Sequence, residues 1–178
     1  MMRADTESPD QKSYRAARRA FIAACEGAHI DTVARLHPAR APDGKPLFMD
    51  CAALGPRRAA RAVLIVAYDA AGTGVLIALL RDPPLPPEAR LVLVHALDPA
   101  IFAGVAGDPG WPPAILGAVA TEDLSRVRDL AVLPLNRRDD SLKPALQAPL
   151  PQATITVLSP AATAAQARRL IAAFFAGH

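Results

Sequence analysis

The stretch that decides the fold is residues 63–97, which read VLIVAYDAAGTGVLIALLRDPPLPPEARLVLVHAL. Its two ends, Val63–Ala67 and Leu91–Leu97, are apolar runs of strand length, as expected for strands that are covered on both faces. Between them, Ala71–Arg81 predicts a short apolar helix, which the prolines after it terminate. Strand, helix, proline turn and strand form a βαβ unit, for which we expect parallel strands joined by a right-handed crossover.

Amphipathic segments flank this unit at both ends of the chain. Residues 9–27 follow a helix start at Ser8-Pro9-Asp10-Gln11, in which Ser is the cap and Pro the first helical residue. Ser159-Pro160 predicts the start of a last helix over roughly 160–176, whose apolar residues recur on one face.

Shorter segments predict the remaining strands and loops. Two antiparallel strands, 30–36 and 47–52, are expected on either side of a loop at 37–46. Further strands are predicted at 130–135 and 153–158, a loop at 107–113 and a proline-interrupted coil at 142–152. Together the segments predict one α/β domain over residues 9–178, after a flexible leader at residues 1–8. We expect a mixed, mostly parallel sheet of five or six strands with helices on both faces.

The composition argues against several classes of function. Basic residues outnumber acidic ones by 20 to 17, but the arginines occur in scattered pairs, and aromatic residues that could stack on bases are few. A nucleic-acid partner is therefore not expected. The polar N-terminus lacks a signal-peptide core and no apolar run is long enough to cross a membrane, so we expect a cytoplasmic protein without a membrane partner. Cys25 and Cys51 are expected to be buried thiols.

Sequence motifs that carry chemistry are mostly absent. There is no dinucleotide fingerprint, phosphate loop or nucleophile elbow, and no histidine pair has the spacing of a zinc site. Neither a cofactor nor a metal is therefore expected, and no catalytic residue is assigned. Gly72-Thr73-Gly74 follows the first predicted strand, at the start of the predicted helix, where a phosphate could bind, but a tight turn accounts for it and is the favoured interpretation.

The ends of the predicted strands supply candidate cleft residues, because open α/β sheets bind ligands beyond the carboxyl ends of their strands. Asp69 follows the first apolar strand, and His95 and Asp98 lie at the end of the second. A buried core histidine is the favoured interpretation of His95. The polar segment 136–140 follows another apolar stretch, and a solvated turn accounts for it without any function.

Five phrases occur in the same order as in a known family. They are YRAARRAFIAAC at 14–25, the strand ending in LHP at 36–38, PDGKPLFMDCAALGP at 42–56, AVLIVA at 62–67 and LVLVHALDPAIFA at 91–103. From Tyr14 to Phe102 the chain resembles the N-terminal half of a family of bacterial zinc-carboxypeptidase-like proteins labelled as a domain of unknown function. The resemblance implies a shortened form of the zinc-carboxypeptidase-like α/β fold.

The chain departs from this family at the metal site. Relatives carry the turn SGTHGVEG after the AVLIVA strand, and the His and Glu of that turn bind zinc. Here Ala70 stands at the His position and Thr73 at the Glu position, and neither side chain is a good zinc ligand. A later family phrase, DLNRNF, whose Asn and Arg hold a substrate carboxylate, is echoed by Asn136 and Arg137.

The resemblance and the missing ligands predict a non-catalytic relative that acts as a binding or interaction module, with a small molecule or a peptide as its ligand. The alternative is a hydrolase that acts on a small peptide or acyl-amino acid through a remodelled cleft. The candidate cleft residues are Asp69, Thr73, His95, Asp98, Asn136 and Arg137. A homodimer through the last helix or a sheet edge is also expected, although Phe174 and Phe175 could equally pack inside one monomer.

Overall fold

The computed structural model describes residues 7–177. Residues 1–6, which make up most of the predicted leader, and the C-terminal His178 lie outside the described residues. The helices are α1 (Pro9–Gly27), α2 (Ala70–Arg81), α3 (Pro99–Phe102), α4 (Trp111–Asp123), α5 (Leu142–Gln147) and α6 (Ala164–Ala176). The strands are β1 (Thr32–Arg40), β2 (Pro46–Leu54), β3 (Arg61–Val66), β4 (Arg90–His95), β5 (Asp129–Pro134) and β6 (Thr154–Val157). None of the helices between residues 7 and 177 combines the length and the apolar character needed to span a lipid bilayer.

The six strands form one sheet in the order β1-β2-β4-β3-β5-β6. β3 lies between β4 and β5 and pairs with both in parallel, and β5 pairs in parallel with β6. β2 is antiparallel to β4 and to β1, which forms one edge. The predicted mixed, mostly parallel sheet is therefore confirmed. The βαβ unit is also present, because β3 and β4 are parallel neighbours joined by α2.

Helices cover both faces of the sheet, as predicted. α4 and α5 pack on one face, whereas α1, α2 and α6 pack on the other. Successive residues of β3 point to opposite faces, so Leu64 belongs to the first core and Ile65 to the second, and both are fully buried. The interiors of the central strands, 62–66 and 91–94, are apolar throughout because each of their faces is covered.

The start of α1 matches the sequence prediction in detail. The Ser8 hydroxyl accepts a hydrogen bond from the Gln11 backbone N–H at 3.3 Å, and the Gln11 side chain accepts one from the Ser8 N–H at 2.9 Å. This reciprocal pair is a capping box. Tyr14, Ala17, Phe21 and Cys25 then form the stripe that packs on the sheet. Both cysteines are buried and free, as predicted.

The predicted loop at 37–46 is wrong over its first half. β1 continues through His37 to Arg40, with a register shift between Leu36 and Arg40. Pro38 fits in this strand because β1 is an edge strand, where a missing N–H leaves no neighbour unpaired. Only residues 41–45 form the turn to β2, closed by a hydrogen bond from the Ala41 N–H to the Lys45 carbonyl at 3.0 Å.

α4 begins inside the predicted loop at 107–113 and continues over residues to which the sequence assigns no element, and α5 lies in the predicted coil at 142–152. Pro112 and Pro113 fall in the first turn of α4, and Pro144 falls in the first turn of α5. Backbone N–H groups in a first helical turn have no intrahelical acceptor, so a proline there removes no hydrogen bond. These prolines begin helices, whereas the sequence analysis interprets them as breaks.

α6 begins later than predicted. Its cap is Thr163, which forms a second capping box with Gln166, and not Ser159. The residues between them stay extended because Ala161 forms a parallel bridge with Leu135, just beyond the end of β5.

Candidate functional site

The four parallel strands end at the same edge of the sheet, and polar residues follow three of them. Asp69 comes shortly after β3, Asp98 after β4, and Asn136 and Arg137 after β5. Two residues just beyond the strands have positive φ angles: 55° at Ala96, directly after β4, and 64° at Asn136, two residues after the end of β5. Left-handed backbone is costly for alanine and tolerated by asparagine, so the chain makes sharp turns at this edge.

Asp69 and Asn136 meet across the ends of β3 and β5. Asp69 is the cap of α2, and its Oδ1 accepts a hydrogen bond from the Gly72 N–H at 2.7 Å. The same oxygen accepts a second hydrogen bond from Nδ2 of Asn136 at 3.1 Å. Both side chains are exposed. The pairing of β3 with β5 therefore brings together two candidate residues that lie 67 positions apart.

Arg137 is positioned by an aromatic ring. Its guanidinium lies 4.0 Å from the centre of the Tyr68 ring, which is a stacking geometry. The Tyr68 hydroxyl donates a hydrogen bond to Oδ2 of Asp139 at 2.7 Å, and Nη2 of Arg137 lies 3.8 Å from the same oxygen. Burial, and then the carboxylate of Asp139, raise the pKa of Tyr68, so the phenol stays protonated as a donor. About half of the Arg137 side chain remains exposed, so its guanidinium can still bind a ligand.

These residues line a groove of about 520 Å³, here called the rim groove. Its lining residues are Asp10, Ser13, Tyr68, Asp69, Ala70, Ala71, Ile101, Phe102 and Arg137. Two carboxylates and one guanidinium thus share a groove with an apolar wall, in which Ile101 is 55% exposed. The volume lies in the range of small-ligand sites.

Thr73 lies outside the rim groove. It is 1% exposed on the buried side of α2, and its hydroxyl donates to the Asp69 backbone carbonyl at 2.9 Å. A hydroxyl engaged in this way has no access to a ligand at the rim.

His95 also lies outside the groove, buried beneath α1. Its ring stacks 5.3 Å from the ring of Phe21, and no part of the residue is exposed. Nδ1 lies 3.6 Å from Oδ2 of Asp50, and neither ring nitrogen has a hydrogen-bond partner among residues 7–177. His95 is therefore a core histidine with an ionic neighbour, although its polar atoms are not hydrogen-bonded.

Asp50 is the charged centre of this buried group, and sequence reasoning missed it. It pairs with His95 across β2 and β4, and Arg18 of α1 donates two hydrogen bonds to it, at 2.7 and 2.9 Å. Burial opposes the charge of Asp50, but His95 and Arg18 together hold the pKa of this carboxyl below its usual value. A single carboxylate inside the apolar run PLFMDCAAL was the signal that could have indicated a buried ion pair.

Asp98 has a partner other than His95. Its Oδ1 accepts hydrogen bonds from the N–H groups of Ala100 and Ile101 at the start of α3. The same oxygen lies 3.6 Å from Nε2 of His37, a buried residue of β1. Asp98 and His95 therefore interact with different partners. Of the six candidate cleft residues, Asp69 and Arg137 line the rim groove, and Asn136 lies beside Asp69.

The side chains at this edge do not fit a zinc ion. Ala70 is exposed and has no donor atom, and Thr73 is buried and hydrogen-bonded to the backbone. Throughout residues 7–177, no three His, Cys, Asp or Glu side chains are grouped so that they could hold a metal ion. Zinc sites in proteins use three or four such ligands.

The family model described as "Protein of unknown function (DUF2817)" matches residues 11–104, just over half of the chain. The chain belongs to this family. The match spans nearly the same residues as the five phrases, from Tyr14 to Phe102, that carry the resemblance. No curated protein matches this DUF2817 chain.

Several solved structures are similar to the chain in part. A glutaminyl cyclase from Macrostomum lignano is 18% identical with a TM-score of 0.47, over 67% of this chain and 45% of that one. A glutaminyl cyclase from Fimbriiglobus ruber is 14% identical with a TM-score of 0.46, over 78% of this chain and 65% of that one. A Zn-dependent exopeptidase from Parabacteroides distasonis is 11% identical with a TM-score of 0.42, over 67% and 52%. In each case the matched region is less than two thirds of the solved chain.

Proposed function

We propose that this DUF2817 protein is a non-catalytic binding module whose rim groove holds the free ends of an amino acid or a short peptide. The observation that carries the proposal is the arrangement of charge in the groove. Asp10 and Asp69 supply negative charge, Arg137 supplies positive charge, and Ile101 supplies an exposed apolar wall. A zwitterion with an apolar side chain complements all three features.

Arg137 is the group best suited to hold a carboxylate. Guanidinium groups bind carboxylates through two parallel hydrogen bonds, and this one is held against Tyr68 before any ligand arrives. A side chain that is already positioned loses little rotamer entropy on binding. Asp69 is also held in place before a ligand arrives, because its Oδ1 accepts hydrogen bonds from the Gly72 N–H and from Asn136. Its negative charge can then attract an ammonium group.

The non-catalytic part of the proposal rests on the side chains at the turn after β3. Hydrolysis of a peptide needs an activated nucleophile or water and a group that stabilises the developing oxyanion. Ala70 offers no such atom, and the Thr73 hydroxyl is committed to the backbone. The turn after β3, where the relatives hold their metal, therefore supplies no group that could attack a carbonyl.

Binding is tested by titrating the chain with a dipeptide that has free termini and an apolar C-terminal side chain, followed by two-dimensional NMR or calorimetry. We expect N-acetylation or C-amidation of the dipeptide to weaken binding, because each removes one charge that the groove complements. Arg137→Ala should weaken binding by about tenfold or more, since a charge-assisted hydrogen bond is worth roughly 1.5–3 kcal/mol.

The matched control is Arg138→Ala. Arg138 is the next residue, is largely exposed, pairs with Asp140 and does not line the groove. Equal losses in the two variants, or a doubly blocked dipeptide that binds as well as the free one, would contradict the proposed site.

The alternative function is a hydrolase that acts on small peptides or acyl-amino acids through the same groove. It predicts turnover of such substrates by purified protein, with or without added Zn²⁺, and loss of that turnover in Arg137→Ala but not in Arg138→Ala. Binding without turnover under both conditions favours the module.

We further propose that the chain forms a homodimer through the free edge of β1. Val33 and Leu36 of this strand are 49% and 57% exposed, and an exposed apolar edge strand tends to pair with another chain. Phe174 and Phe175 pack in part against their own core, and the guanidinium of Arg61 lies over both rings. Light scattering at micromolar concentration tests this, and Leu36→Lys should shift a dimer towards monomer, whereas a monomeric wild-type mass would exclude the dimer.

A further inference from the structure

The opposite edge of the sheet, where the parallel strands begin, carries an unusual concentration of positive charge. β3 and β5 start side by side, with Arg61 paired to Asp129. The turns that precede them are held together because the N–H groups of Arg128 and Asp129 both donate to the Ala60 carbonyl, at 2.7 and 3.1 Å. This contact places Arg58 of one turn next to Arg126 and Arg128 of the other.

These three arginines line a groove of about 430 Å³ together with Ala60, here called the arginine groove. In the sequence the arginines occur in scattered pairs, and Arg58 lies 68 positions before Arg126. Folding gathers them at one place. All three side chains belong to exposed residues, so solvent and solutes can reach the groove.

The three guanidinium groups also lack counter-charges. In the described part of the chain, no carboxylate oxygen lies within 4.0 Å of any of them, and none of them has a hydrogen-bond partner. Neighbouring arginines do have partners: Arg90 pairs with Asp123 at 2.7 Å, and Arg61 donates to the carbonyls of Phe174 and Phe175. Like charges held side by side repel each other, and an anion bound between them would relieve that repulsion.

We propose that the arginine groove binds the diphosphate group of a small anion. Three guanidinium groups carry a charge of about +3, which matches the charge of a diphosphate group better than that of one carboxylate. The lining has no aromatic or large apolar side chain, so it offers neither a base-stacking platform nor a hydrophobic wall. The ligand is therefore recognised by its charge and its phosphate oxygens, independently of the rim groove.

Calorimetry with inorganic pyrophosphate at low ionic strength tests the proposal, with orthophosphate, AMP and ADP as comparison ligands. We expect pyrophosphate to bind and orthophosphate and AMP to bind at least about tenfold more weakly, because one phosphate engages fewer of the three guanidinium groups. ADP that binds as tightly as pyrophosphate would identify a terminal diphosphate as sufficient. ADP that binds much more weakly would restrict the site to free pyrophosphate. Each result supports the diphosphate assignment.

Variants locate the site. Arg126→Ala should weaken pyrophosphate binding by about tenfold, and Arg58→Ala combined with Arg126→Ala should abolish it. The matched control is Arg19→Ala, which removes one charge from an arginine of α1 that lines a different groove and forms no ion pair with any residue in the range 7–177. All three positions are exposed, so circular dichroism should show unchanged folding.

Three results would overturn the proposal. The first is the absence of pyrophosphate binding at millimolar concentration, and the second is an equal loss of affinity in Arg19→Ala. The third is binding of a single-stranded oligonucleotide without binding of pyrophosphate, which would indicate a surface for an extended polyanion in place of a site for a compact one.

Discussion

The hydroxyl of Tyr14 forms the two backbone hydrogen bonds to Phe48 that a neighbouring strand would otherwise form. Its removal should lower the stability of the fold. β4 ends at His95, opposite Asp50, whereas β2 begins four residues earlier, at Pro46. The backbone of Phe48 on that side therefore has no strand to pair with. Tyr14 of α1 fills the place: its hydroxyl accepts a hydrogen bond from the Phe48 N–H at 2.7 Å and donates one to the Phe48 carbonyl at 2.8 Å.

The magnitude follows from the two hydrogen bonds. Tyr14 is 2% exposed, so Tyr14→Phe removes both bonds without exposing new surface. Each bond contributes about 1 kcal/mol net, and leaving a buried backbone group unpaired adds about 1–3 kcal/mol. Phe48 is only partly buried, so water can satisfy some of this loss. We expect Tyr14→Phe to lower the free energy of unfolding by about 2–4 kcal/mol.

Urea unfolding followed by circular dichroism and by the fluorescence of Trp111, the one tryptophan of the chain, measures this change. With a denaturant slope of about 2 kcal/mol per molar, the midpoint should fall by about 1–2 M. The comparison variant is Tyr68→Phe, which removes the other tyrosine hydroxyl and its single hydrogen bond to Asp139. A Tyr14→Phe shift no larger than that of Tyr68→Phe would refute the reasoning, because it would show that water replaces the hydroxyl.

Three further predictions concern the core and the turns. Gly55→Ala should destabilise the chain by about 3 kcal/mol or more, because Gly55 has a φ of 84° and a Cβ there would lie 2.1 Å from a backbone oxygen. Gly74→Ala is the comparison, because a Cβ at Gly74 would have no described atom within 4 Å. It should stabilise α2 by about 0.5–1 kcal/mol in the same urea assay. Asp50→Asn should lower the free energy of unfolding by about 3 kcal/mol at neutral pH. Because the folded-state pKa of Asp50 is lowered, the contribution of its charge to stability is complete above about pH 4 and is lost as pH falls. The stability difference between variant and wild type, measured by urea unfolding, should therefore shrink in acid. Burial raises the pKa of Cys25 to about 11 and of Cys51 to about 12, so a thiol reagent at pH 8 should label neither in the folded protein and both in denaturant; rapid labelling of the native protein would contradict this.

The central strands could be predicted from the sequence because burial on both faces leaves an uninterrupted apolar run. Val63–Ala67 and Leu91–Leu97 show this pattern, and the structure has β3 and β4 at those positions. Edge strands carry a weaker signal, since one face and one edge are open to water. β1 therefore extends through His37 and Pro38, where polar residues and proline predict a loop.

The helices that sequence analysis missed share one cause. Pro112 and Pro113 in α4 and Pro144 in α5 predict breaks, but they lie in first helical turns, where their missing N–H groups are not needed. Local sequence does not distinguish a proline that ends one segment from a proline that starts the next. In α4 the evidence was the apolar stretch after the prolines, which packs against the sheet through Ile115 and Leu116.

The sequence predicts which strand ends form the candidate site, but a residue's place at a strand end does not show which way its side chain points. Parallel strands end at one edge, so the topology predicts Asp69, His95 and Asp98 there, whereas Asn136 and Arg137 are candidates only through the family resemblance. The structure brings Asp69, Asn136 and Arg137 together. His95 was considered for the same edge because it lies at the end of β4. Along a strand, however, alternate residues share a face.

This alternation already predicts which face of the sheet the side chain of His95 lies on. It lies two residues after Leu93 and four after Leu91, and both leucines pack in the core covered by α1 and α2. The ring of His95 must follow them to that covered face. Thr73 obeys the corresponding helical rule: it precedes Leu76 by three residues and Leu80 by seven, which puts all three on the buried side of α2. A residue at the end of a strand therefore lies near the site. It can reach a ligand there only if its side chain points away from a covered face of the sheet, or if it lies beyond the last residue of the strand.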